Sequence, residues 1–155
     1  MPEEIEHKFL VRDDSWRAEV THSVEYRQGY LANNDRCSVR VRVSGTKGHL
    51  NIKSAQLGVQ RHEFEYEIPL GEAHTLLDRF CEKPLVEKVR HFVSHAGKTW
   101  EVDEFRGDNA GLVVAEVELD AVGESFERPD WVSDDVSDDP RYYNVNLVKT
   151  PYTTW

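Results

Sequence analysis

Two sets of charged side chains recur at alternate positions along this chain. The cations are Lys8, Arg40, Arg42, Lys53, Lys88 and Arg90, and the carboxylates are Glu4, Glu6, Glu116 and Glu118, with Glu63, Glu65, Glu101 and Asp103 in similar settings. Successive side chains on a strand point to opposite faces, so residues two apart share one face. Gathered on one surface, guanidinium forks and ammoniums suit phosphate oxygens. Clustered carboxylates are hard oxygen donors for Mg²⁺ or Mn²⁺. Charges this dense are costly to bury unless they are paired or bound to ligands. A polyanion with a divalent metal satisfies both sets, and the metal can orient or deprotonate a water. Phosphoryl transfer needs little beyond such positioning and electrostatics.

The intervening residues are apolar: Val39, Val41 and Val43 around the arginines, and Val113, Ala115, Val117 and Leu119 around the last acids. Strands are expected at 3–11, 23–31, 36–44, 49–54, 60–68, 85–95, 98–105 and 111–120. Turn signals such as Asn33-Asn34-Asp35, Gly45-Thr46-Lys47-Gly48 and Ala96-Gly97-Lys98 separate them. A capped short turn is expected at Asp13–Trp16 and a helix over Gly71–Cys81, with Pro84 soon after. A last helix is expected over Asp139–Val148, with Pro140 in its first turn. Strands joined by short links are antiparallel neighbours, so the pattern predicts a mainly β (α+β) fold, an antiparallel barrel or sandwich. The alternation leaves two arrangements open. Either the apolar face is the core and the charges are solvated, or a closed barrel encloses the charged face and helices cover its apolar outside.

The chain has 155 residues, 19 Lys and Arg against 29 Asp and Glu, and a net charge of −10. That length predicts one domain over residues 1–155. The acidic balance argues against nucleic acid and anionic membranes as partners. Cys37 and Cys81 are far apart and predict free thiols. The acidic N-terminus lacks a signal-peptide core and no apolar run approaches the ~20 residues of a membrane span, so a cytoplasmic location is expected. The seven histidines show no metal-ligand spacing, and Ser-His-Asp, phosphate-loop and dinucleotide motifs are missing.

The order of the charged segments carries a resemblance. Glu4-Ile5-Glu6-His7-Lys8 is an ExExK motif, followed by Gln28-Gly29-Tyr30, Ser38-Val39-Arg40-Val41-Arg42, Asn51-Ile52-Lys53, Arg61-His62-Glu63-Phe64-Glu65 and Lys88-Val89-Arg90. Trp100–Asp103, Ala115–Leu119 and Asp139–Asn144 complete it. This series resembles the CYTH domain, or triphosphate tunnel metalloenzyme, superfamily, in particular its short bacterial triphosphatases. Asn51 stands where that family more often has Thr. The resemblance implies an eight-stranded antiparallel β-barrel tunnel with the charged face inside, a few short helices outside and a C-terminal helix. It implies Mg²⁺- or Mn²⁺-dependent hydrolysis of a small triphosphate, most readily inorganic tripolyphosphate to pyrophosphate and phosphate. Class IV adenylate cyclase, thiamine triphosphatase and a non-catalytic polyphosphate-binding module are the alternatives. By resemblance, Lys8, Arg40, Arg42, Lys53, Lys88, Arg90 and Arg141 bind triphosphate. Glu4, Glu6, Glu116, Glu118 and Asp103 hold metal, and Lys88, Tyr30 and Glu63 are the catalytic candidates. Nothing in the residues forbids a homodimer.

Overall fold

The computed structural model describes residues 3–55 and 58–155. Among these residues nine strands form: β1 Glu3–Val11, β2 Val20–Asn33, β3 Cys37–Ser44, β4 Lys47–Ser54, β5 Gln60–Ile68, β6 Val86–His95, β7 Lys98–Phe105, β8 Val113–Glu118 and β9 Val132–Asp135. Two α-helices, α1 Leu70–Arg79 and α2 Asn144–Lys149, accompany them. The sheet order β5-β4-β3-β2-β6-β7-β8-β1 is closed by pairing of β1 with β5, giving an eight-stranded antiparallel barrel. β9 lies outside this ring and pairs with the end of β1 at Phe9↔Asp135 and Val11↔Val132.

The ladders fix which side chains share a face. Glu6 lies opposite Glu118, Lys8 opposite Glu116, Gln28 opposite Arg42, and Arg90 opposite Asp103. These residues face the barrel interior. The alternate, apolar residues face out and are covered in two places. Over β1, β6, β7 and β8 lies a layer containing Phe9, Val93, Trp100 and Val117, closed by Trp16 from a 3-10 turn at Ser15–Glu19 and by Trp131. Asp13 builds that turn by accepting hydrogen bonds from the Ser15 amide and hydroxyl. The indole of Trp131 donates to Glu19 at 2.9 Å.

Over β3 and β4 lies α1, whose Ala73 and Leu77 repeat at i, i+4 and pack with Val41, Val43 and Cys81. Two glycines allow this close approach. A Cβ on Gly48 would stand 2.6 Å from the Ala73 Cβ, and one on Gly29 would meet Leu85 at 2.7 Å and Cys81 at 2.8 Å. The glycine of the Gln28-Gly29-Tyr30 segment is therefore required by the outer layer, while its two neighbours serve the inner face.

A third apolar cluster sits inside one end of the barrel. Tyr30, Val86, Phe105 and Val114 from the strands meet Tyr142, Leu147 and Val148 from the C-terminal segment. The tail thus packs over that end. The expected single helix is broken into a 3-10 turn at Pro140–Tyr142 and the six-residue α2. Asp139 caps the turn by accepting from the Arg141 amide.

Candidate functional site

The interior above this plug is a polar cavity of about 150 Å³. Seven cations (Lys8, Arg40, Arg42, Lys53, Arg61, Lys88 and Arg90) and five carboxylates (Glu4, Glu6, Glu101, Glu116 and Glu118) line it. Strand order separates the signs. In a closed ring of eight strands β2 lies across from β1. The strands flanking β2 carry Arg40 and Arg42 on one side and Lys88 and Arg90 on the other. β1 and its neighbours β8 and β5 carry Glu4, Glu6, Glu116, Glu118 and Glu63. One wall is cationic and the opposite wall is acidic, with Lys8, Lys53 and Arg61 placed among the acids.

The cationic wall is braced from behind. Asp103 is 0% exposed and accepts from Lys88 Nζ at 2.6 Å, Arg90 Nε at 2.8 Å and Arg90 NH2 at 2.9 Å. Burial acts to raise its pKa, but Arg90 and Lys88 outweigh that and hold the carboxyl below its usual range. Burial also pushes the Lys88 ammonium down to about 8, against the pull of Asp103. In front of these cations stands Tyr26. Its ring centroid lies 5.0 Å from the Arg90 guanidinium, 5.1 Å from that of Arg42 and 5.7 Å from Lys88 Nζ. One aromatic ring offers its negative quadrupole to three like charges. Arg42 is held further by Glu65 at 2.5 Å.

The acidic wall is short of positive charge. Glu4 accepts from Lys53 Nζ at 2.9 Å, and Glu116 lies 3.6 Å from Lys8 Nζ and 3.8 Å from Arg90. Burial disfavours ionised Glu4, but Lys53 and hydrogen bonds from Glu63 and Glu6 hold its pKa far below normal. Glu116 is likewise depressed, by Lys8, Arg90 and Lys88 working against burial. Glu6 is half-buried and flanked by Glu116 and Glu4, so desolvation and like charge push its pKa well up. Burial and the hydrogen bond to Glu4 raise Glu63 to about 7. The carboxyls Glu63, Glu4, Glu6 and Glu116 thus interact in sequence, with pKa values alternately raised and lowered.

Most of the residues expected at the site converge on this cavity, including Tyr30 at its boundary with the plug. Two do not. Arg141 lies outside, 64% exposed at its side chain and paired with Asp139 at 2.8 Å, because its guanidinium folds back onto the carboxylate that caps its own turn. Asp103, expected among the metal carboxylates, is sealed beneath the lining with its two oxygens committed to Lys88 and Arg90. Glu63 stands beside the lining, 3.4 Å from Lys53 Nζ.

Several lining residues were assigned no role from the sequence. Arg61 and Glu101 share strand parity with Glu63 and Asp103, so the alternation already pointed to them. Tyr143 gave no such signal. It arrives from the tail, and its ring lies 4.3 Å from the Arg61 guanidinium and 5.6 Å from Lys8 Nζ. Its hydroxyl donates to the Ser137 carbonyl at 2.6 Å. Lys8 Nζ donates to the Tyr142 carbonyl at 3.2 Å, tying the tail to the cavity wall. Among the described residues no helix is long and apolar enough to cross a membrane.

Comparison with known proteins agrees with this architecture. An inorganic triphosphatase of Acetivibrio thermocellus is 50% identical over 152 residues, covering 98% of this chain and 97% of its own. An inorganic triphosphatase of Nitrosomonas europaea is 34% identical over 149 residues, covering 94% and 96%. The crystal structure of the inorganic triphosphatase NE1496 superposes with a TM-score of 0.67 at 34% identity, covering 96% of this chain and 95% of that one. The CYTH domain matches residues 2–146. With the closed barrel, its inward charges and a match over nearly its whole length, the chain belongs to the CYTH domain family.

Proposed function

We propose that this protein hydrolyses inorganic tripolyphosphate to pyrophosphate and phosphate with the help of Mg²⁺ or Mn²⁺. The observation that carries the reading is the division of one enclosed cavity into a cationic and an acidic wall. It is supported by relatives named inorganic triphosphatase that align over nearly the full chain. Arg40, Arg42, Lys88 and Arg90 hold the phosphate chain from one side, and Lys8 and Lys53 reach it from the other. A compact inorganic anion fits better than a nucleotide or thiamine ester because the tyrosine faces are already taken. Tyr26 lies under Arg42, Lys88 and Arg90, and Tyr143 under Lys8 and Arg61.

Among the described residues no three His, Cys, Asp or Glu side chains form a ready ion cage. The donor set nevertheless suits a hard cation. Burial and the like charges of Glu116 and Glu4 raise the Glu6 pKa, and a divalent ion there would relieve the same repulsion. Glu4, Glu6 and Glu116, with the more exposed Glu118, would hold that ion. Bound there, it would neutralise phosphate oxygens and increase the acidity of a water. Lys88 supplies the proton-transfer group, since its depressed pKa lets the amine shed its proton not far above neutrality. Tyr30 beside Arg40, and Glu63 beside Lys53, set the positions of those cations.

Phosphate release from tripolyphosphate, ATP and thiamine triphosphate, each with Mg²⁺ and Mn²⁺, tests the reading. Turnover is expected on tripolyphosphate, with severe loss in Glu4→Gln and Lys88→Ala. Untouched tripolyphosphate under both metals would refute hydrolysis. Tight binding without turnover would indicate a sensor.

A further inference from the structure

Four buried side-chain donors in the barrel interior lack hydrogen-bond partners among the described residues: Gln28 Nε2, Arg40 Nε, Arg42 Nε and Asn51 Nδ2. They are not scattered. They lie on the neighbouring strands β2, β3 and β4, and the ladder sets Gln28 opposite Arg42 and Arg40 opposite Asn51. Gln28 is 0% exposed and Asn51 1%, and both line the cavity. The Gln28 Oε1 is unpartnered as well, so turning the amide over does not satisfy it. A buried N–H without an acceptor is destabilising, and native interiors rarely keep one without a reason.

Of the remaining cavity cations, Arg61 packs on the Tyr143 ring and the other four are held by carboxylates. Lys8 is held by Glu116 and the Tyr142 carbonyl, Lys53 by Glu4, and Lys88 and Arg90 by Asp103. The uncommitted donors are thus concentrated on one stretch of wall. What satisfies four convergent donors is a group rich in lone pairs and poor in hydrogens, which describes a phosphoryl group. We propose that Gln28 and Asn51 are further triphosphate-contacting residues, their amide N–H groups joining the Nε atoms of Arg40 and Arg42 to seat one phosphoryl group on the β2–β3–β4 wall. Neutral donors suit this place. Burial and the neighbouring Arg40 already lower the pKa of Arg42, and another cation there would add repulsion. An amide adds a hydrogen bond without adding charge.

The inference rests on the tripolyphosphate reading above, and its test separates the two. Gln28→Met and Asn51→Leu keep approximate size and remove the donors. Three quantities are measured: the ligand-free melting temperature, calorimetric binding of tripolyphosphate in EDTA, and steady-state KM. The melting temperature is expected to hold or rise, because an unsatisfied buried amide has gone. Binding and KM are expected to weaken about 10- to 100-fold in each variant, the scale of a hydrogen bond to a charged partner. Gln28→Glu, which turns a second acceptor toward the phosphoryl group, is expected to bind more weakly still, and it serves if the Met variant does not fold. Unchanged binding and KM in the variants would overturn the proposal, whichever way the melting temperature moves. Wild-type protein that binds tripolyphosphate but releases no phosphate removes the hydrolytic reading and leaves this one standing. Wild-type protein that does not bind it removes both.

Discussion

The two walls of the cavity solve opposite electrostatic problems. On the cationic wall, like charges are compensated within the protein: Asp103 takes Lys88 and Arg90 from behind, Glu65 takes Arg42, and Tyr26 lies in front of all three. On the acidic wall, Lys8 and Lys53 do not suffice for the carboxyls they face, and the pKa values of Glu6 and Glu63 are raised. The first wall is organised before ligand arrives. The second is left with a deficit that a metal cation would correct under the function proposed above. Stability and function should therefore separate when the walls are altered.

The largest effect is expected where the cationic wall loses its internal counter-ion. Asp103→Asn leaves two buried cations without their carboxylate, and breaking a buried pair in this way costs about 3–5 kcal/mol. Thermal or urea unfolding should show that loss, together with loss of turnover. Glu6→Gln should do the reverse. The amide imitates the protonated acid already favoured there, so stability is kept or improved, while metal-supported turnover falls by about 100-fold or more, several kcal/mol of transition-state stabilisation. If Glu6→Gln is as unstable as Asp103→Asn, the contrast between the walls fails.

Smaller effects sharpen the comparison. Tyr26→Leu removes the aromatic face shared by three cations and should raise KM by about 5- to 30-fold, on the scale of a desolvated cation–π contact, whereas Tyr26→Phe keeps the ring and should stay near wild type. For pH, the sign follows from Glu63. Its folded pKa of about 7 lies above the ordinary 4.5, so its contribution to stability is full below 4.5 and is lost as pH rises through about 7. In metal-free protein, the melting temperature of Glu63→Gln relative to wild type should thus climb between about pH 5 and 8. The smallest effect is expected outside the barrel: Arg141→Ala breaks an exposed pair and should leave KM within about twofold of wild type.

Much of the inner face was legible from alternation alone. The parity of Glu4-Glu6-Lys8, Arg40-Arg42 and Glu116-Glu118 survives into the interior, and the strand limits moved by only a few residues. Parity cannot say whether a face looks in or out, because an open sheet with solvated charges has the same period; the order of motifs supplied that. Pairings between strands distant in sequence stayed hidden. Asp103 has the same local pattern as Glu101, yet three bonds from β6 make it a brace. β9 is four residues of Val-Ser-Asp-Asp, too short and too acidic to announce a strand, and it forms because β1 offers an open edge beyond β5. Arg141 followed a terminal motif, but the cap at Asp139 captured its guanidinium. Tyr26 and Gln28 received no role from the sequence because their surroundings depend on neighbours from β3 and β6.

The division of labour between the walls is tested most directly by steady-state kinetics over a grid of Mg²⁺ and tripolyphosphate concentrations, comparing Glu6→Gln with Arg42→Ala. The expected result is a metal-activation constant that rises chiefly in Glu6→Gln and a tripolyphosphate KM at saturating metal that rises chiefly in Arg42→Ala. Both variants shifting the same constant, or neither shifting any, would contradict a cavity built as one wall for phosphate and one for metal.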